Sequence, residues 1–174
     1  MTVISVISAG KSALLAMSLE AITPMIAVKV ITVPMALAGV ALTSDAVHGA
    51  NSKDFRKTFG FGAWFTPLVG IYEGTVAALL WYQGGAHREL ALRMLAVVLG
   101  GVEYAHVFCE GNPGGVVLPL ALNALAVVAL QDVTGAGAWV DIATTQAALN
   151  VAGMVVGLAV SALSPGKPKE KDSE

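Results

Sequence analysis

The chain has 174 residues, 56% of them hydrophobic and 13% charged, and its mean hydropathy is +0.73. Such values lie outside the range of a soluble globular domain and indicate a polytopic membrane protein, with room for one small bundle and no separate soluble domain. The net charge of -2 includes no basic stripe and excludes a nucleic-acid partner, and Cys109, the single cysteine, excludes an internal disulfide and paired-cysteine redox chemistry.

The expected fold is all-α: an integral membrane helical bundle with a four-helix core, a fifth transmembrane helix and an N-terminal interfacial helix. Residues 1–23 open with "MTVISVISAGKSALLAMSLEAI", which lacks an early basic region and is interrupted by Lys11, so a cleaved secretory signal is not expected. Its apolar residues, Val3, Ile4, Leu14 and Leu15 among them, fit one face of a helix lying in the membrane interface.

The first span is expected from Pro24 to Leu42. Pro24 starts a helix without wasting an N–H, and Pro34 sits mid-span, where it kinks the helix. A polar, turn-rich loop follows, in which Phe55, Phe59, Phe61 and Trp64 suit an aromatic belt at the membrane surface. The second span covers Ala63 to Gln83, and the short turn "GGAHRE" makes spans two and three antiparallel neighbours. The third covers Glu89 to Cys109, and "EGNPGG" turns the chain into a fourth span at Val116 to Gln131. "DVTGAGA" then breaks the pattern before a fifth run, Trp139 to Leu163, and residues 164–174 form a charged tail. No internal repeat is visible.

Five spans place the first long loop and the tail on one side. That side collects Lys53, Arg56, Lys57, Lys167, Lys169 and Lys171, against Lys11 and Arg88 opposite. The bias marks the tail side as cytoplasm-equivalent.

Several polar residues fall inside the spans, where each needs a partner, a cavity or a route to the surface. Lys29 and Arg93 are near enough to helix ends to snorkel, and Asp141 sits in a first turn, where the helix dipole favours it. Glu73 and Glu103 lie deeper. Counted from the "GGAHRE" turn they are about ten and about fifteen residues in, a difference of several Å in depth at ~1.5 Å per residue. They are expected to approach each other, with Tyr104 and His106 nearby, as a buried polar cluster that either fixes helix packing or contacts protons or a ligand. "GIYEG" (Gly70, Gly74) and "GMVVG" (Gly153, Gly157) are small-residue patterns that predict two close helix contacts.

Glu103 and His106 form one Glu-x-x-His, whereas a di-iron bundle needs two such pairs and two further glutamates; His48 and His87 read as loop residues. No metal site is expected. A magnesium porphyrin needs a single axial ligand, which His106 or Asn123 can supply, so chlorophyll joins quinone and lipid as candidate bound molecules.

"FGFGAWFTPLVGIYEGTVAALLW", a short turn, and "LALRMLAVVLGGVEYAHVFCEGNPGGVVLPLALNALAVVAL" resemble the DoxX-like membrane proteins over about residues 28–131. The shared features are an aromatic and glycine loop, a G-x-x-E span (Gly70, Glu73), a third span ending near Y-x-H (Tyr104, His106) and a fourth apolar span. Where that family often carries a lysine at the end of its first span, this chain has Ser44 and Asp45. The resemblance implies a four-helix core and leaves function open, since some members are linked to quinone or thiosulfate redox systems and others look like assembly factors. The expected function is a non-catalytic accessory or assembly subunit of a larger energy-transducing complex, respiratory or photosynthetic. Its membrane would be the bacterial inner, thylakoid or mitochondrial inner membrane, and its partners lipid and other subunits. The alternatives are a membrane subunit of a quinone-linked oxidoreductase and a small proton-coupled carrier.

Overall fold

Five helices account for most of the residues described by the computed structural model, namely 24–44, 49, 64–82, 85–134 and 139–163. They are α1 (Pro24–Thr43), α2 (Phe65–Trp81), α3 (Gly85–Tyr104), α4 (Val117–Thr134) and α5 (Trp139–Leu163). A π-helical turn, Ala105–Cys109, extends α3, and a 3-10 turn, Pro113–Val116, leads into α4. No strand occurs among the described residues. The N-terminal interfacial helix, His48, the loop aromatics Phe55, Phe59 and Phe61, and the charged tail lie outside the described residues.

Among the described residues, four helical segments are long and apolar enough to cross a membrane: Pro24–Thr43, Gly85–Cys109, Pro113–Thr134 and Trp139–Leu163. The second expected span is the shorter apolar helix Phe65–Trp81. Its 17 residues give a length of about 25 Å at 1.5 Å per residue, the short end of what a bilayer core needs. Trp64 at one end and Trp81 with Tyr82 at the other are largely exposed, as interfacial anchors would be.

The third and fourth helical segments extend beyond the expected spans. α3 begins at Gly85, so His87 is a helical residue rather than a loop residue, and its ring meets Tyr82 edge-on at 5.1 Å. The fourth helical segment is longer than the expected 116–131, because Pro113 starts a 3-10 turn that runs directly into α4. Proline at that position already has the φ a helix requires.

α1 to α4 form a closed ring, each packed on its neighbours in order and α4 against α1, while α5 lies outside it on α3 and α4. Ile31, Val76, Leu80, Leu92, Leu95 and Leu130 fill the interior. Without a hydrophobic drive between helices in lipid, close backbone approach decides which pairs hold together. A Cβ on Gly39 would lie 2.7 Å from the amide nitrogen of Gly74, and one on Gly70 would lie 2.8 Å from Leu42 Cβ. Thr43 meets Gly70 and Gly39 meets Gly74, so α1 and α2 run antiparallel. α5 runs parallel to α3, with Gln146 beside Leu92, Asn150 beside Glu103 and Gly157 beside Tyr104.

Candidate functional site

α5 joins the bundle by one narrow row. Its buried residues are Ile142, Gln146, Asn150, Gly153 and Gly157, spaced by three or four and therefore on one helical face. A Cβ at Gly153 would collide with the Val97 carbonyl, and one at Gly100 with the Asn150 carbonyl, so these two backbones touch. Gly157 makes room for the Tyr104 ring, which also stacks on Phe108 at 5.4 Å.

That approach lets α5 amides reach α3. Asn150 Nδ2 donates to Glu103 Oε1 at 3.1 Å, with both residues buried. Gln146 Nε2 donates to the Leu92 carbonyl at 3.1 Å and, at a longer 3.4 Å, to Asn123 Oδ1 on α4. Glu103 is thus held by an amide from α5. Asn123 faces the same helix.

His106 belongs to the π-helical turn. Its Nδ1 lies 2.5 Å from Glu110 Oε2, one turn along the chain. The wider turn carries Glu110 N–H to the Ala105 carbonyl, and Asn112 N–H bonds the His106 carbonyl at 2.8 Å. Gly111, at φ 66°, supplies the left-handed residue the turn needs. Gly115 then folds against the imidazole, where a Cβ would sit 2.6 Å from His106 Cγ. "EGNPGG" therefore both reverses the chain and seats His106.

Glu73 has a different setting. Beside it Tyr72 donates from its hydroxyl to the Met94 carbonyl at 3.0 Å, across to α3. Glu73 itself is 5% exposed, and its Oε2 is buried with no hydrogen-bond partner. It lines a cavity of about 420 Å³ between α2, α3 and α5, whose walls are mostly valine, leucine and glycine. His106 and Phe65 line the same cavity. Of the four residues expected in one cluster, Glu73 and His106 line one groove, Glu103 pairs with α5, and Tyr104 packs on Gly157.

Arg93 forms an ion pair with Glu89, one turn earlier in α3, through two nitrogens at 3.0 and 2.8 Å on the same carboxylate oxygen. Lys29 is exposed on α1, and Asp141 is exposed in the first turn of α5, where the dipole accounts for it. No three His, Cys, Asp or Glu side chains among the described residues converge to hold a metal ion.

The sequence reading missed Asn150, Gln146, Glu110, Gly39 and Gly100. For α5 a signal was present: Gln146, Asn150, Gly153 and Gly157 fall on one face, and amides beside glycines mark an interhelical contact. The opposite face of α5 is also unusual. Thr144, Ala147, Ala148 and Ala152 are exposed there, a run of small side chains beside the larger Val140 and Val151.

No protein-family model, curated protein or solved structure matches the chain.

Proposed function

We propose that this chain is a non-catalytic accessory or assembly subunit of a larger energy-transducing membrane complex, embedded through its helices. The observation that carries the reading is the outward face of α5. A helix facing only lipid gains nothing from small side chains, whereas Thr144, Ala148 and Ala152, one turn apart, leave a shallow track for another helix to lie in. The inward face of α5 follows the same rule, using Gly153 and Gly157 to dock on α3. The resemblance of residues 28–131 to DoxX-like proteins is compatible, since some of those look like assembly factors.

The test is isolation of the tagged chain from its own membrane in digitonin, followed by native electrophoresis. An assembly far above the chain's 17.7 kDa is expected. Ala148→Leu, which fills the track without touching α3, should lower recovery of the assembly several-fold. A wild-type chain that migrates alone, or an assembly indifferent to Ala148→Leu, would refute the subunit reading.

A further inference from the structure

We propose that the groove between α2, α3 and α5 binds one elongated apolar molecule bearing a hydroxyl group, with the hydroxyl seated on Glu73. The groove has two polar ends and an apolar middle. Along the helix axes, Tyr72, Glu73, Val97 and Val98 lie toward one end and Phe65 and His106 toward the other. From Val97 to His106 is nine residues along α3, so the two ends are roughly 13 Å apart at 1.5 Å per residue. One small polar head cannot reach both. A volume of about 420 Å³ suits a single small molecule with most of its surface covered.

Glu73 Oε2 dictates the chemistry at its own end of the groove. It is buried, it has no partner among the described residues, and its neighbours in the groove are apolar. An unpaired polar atom there carries a full desolvation cost, which a plain hydrocarbon chain does not relieve. The other polar side chains of this region are engaged elsewhere: the Tyr72 hydroxyl bonds Met94, Glu103 bonds Asn150, and His106 bonds Glu110. A hydroxyl is the head group that serves a carboxyl in either proton state, donating to the carboxylate and accepting from the acid. A ketone or ester carbonyl only accepts and serves only the acid. The hydroxyl therefore fits Glu73, and an aliphatic or isoprenoid body fits the valine-lined walls that lead towards His106.

The proposal rests on the bilayer-embedded part of the subunit reading and needs no partner protein, so it is tested on the isolated full-length chain in nanodiscs. Flotation with the lipid fraction first establishes embedding by itself. The probes are a long-chain alcohol carrying a photoactivatable diazirine and the matching alkane without the hydroxyl. Saturable labelling by the alcohol, mapped to α2, α3 and α5 and at least about tenfold above the alkane, is expected. Glu73→Leu should reduce alcohol labelling to the alkane level, while Glu73→Gln, whose amide both donates and accepts, should retain most of it. Val102→Phe keeps Glu73 and narrows the groove, so it should also lower labelling, and a melting curve confirms that each variant is folded. Equal labelling by the two probes would show ordinary lipid filling and overturn the proposal. So would alcohol labelling unchanged in folded Glu73→Leu, or labels mapping outside the groove.

Discussion

Glu103 shows how a buried acid is handled by a single amide. Asn150 reaches it from a helix 47 residues away in sequence, and the bond exists because Gly100 and Gly153 bring the two backbones into contact. Asn150→Leu leaves Glu103 buried without its donor, an imbalance worth about 1–2 kcal/mol, since interhelical hydrogen bonds in membranes are modest and unpaired groups are not free. Adding Glu103→Leu removes both polar ends and should recover most of that loss. Thermal or denaturant unfolding in detergent reads the double-mutant cycle, and additive losses from the two leucines would show that the bond contributes nothing. At this scale the sequence marked the polar residue but not its partner. A carboxylate in an apolar run is conspicuous by itself, whereas its pairing with Asn150 depends on the register of α5 against α3, which no local pattern encodes.

The helix pairs rest on glycines whose importance is unequal. "GIYEG" presents Gly70 and Gly74 as equivalents, yet a Cβ on Gly74 would meet open space, while the tight positions are Gly70 and, on the other helix, Gly39. Gly39→Ala pushes a methyl against the Gly74 backbone and should cost about 1–3 kcal/mol through overpacking. Gly74→Ala meets nothing and should be neutral or stabilising by up to about 1 kcal/mol, because alanine favours the helix. Equal losses at the two sites would contradict the observed α1–α2 crossing. The existence and order of the helices were legible from hydropathy, because about twenty apolar residues between turn signals admit little else. The sense of each contact was not, since a GxxxG pattern gives the helix that offers a close approach and says nothing of which residue on the partner fills it. The π-helical turn was likewise hidden: a single extra residue in the turn around His106 changes no hydropathy period, though it decides how the imidazole, Glu110 and Gly115 come together.

The described residues form a four-helix ring with a fifth helix parallel to α3, and this arrangement fixes which of their ends share a side. If all five helices cross, the ends Thr43, Phe65, Cys109, Pro113 and Leu163 lie together, and the charged segments of the long loop and the tail join them. The ends Pro24, Trp81, Gly85, Thr134 and Trp139 lie opposite. α2 is the element on which this depends, because its 17 residues only just span a hydrocarbon core of about 30 Å with flanking aromatics at the interface. Single cysteines in a Cys109→Ser background test it: Thr2→Cys for the N-terminus, Ser52→Cys for the loop and Ser173→Cys for the tail. Labelling sealed membranes from one face with an impermeant maleimide should modify Ser52→Cys and Ser173→Cys together and Thr2→Cys only after permeabilisation, or the reverse for inverted vesicles. If Ser52→Cys is labelled on the opposite face from Ser173→Cys, one helix between them does not cross. α2 is then the first candidate, since the other four segments each exceed the length a crossing requires. Such a result would also bring the groove and Glu73 to the membrane surface, where water could reach Oε2 and a hydroxyl ligand would no longer be needed to satisfy it.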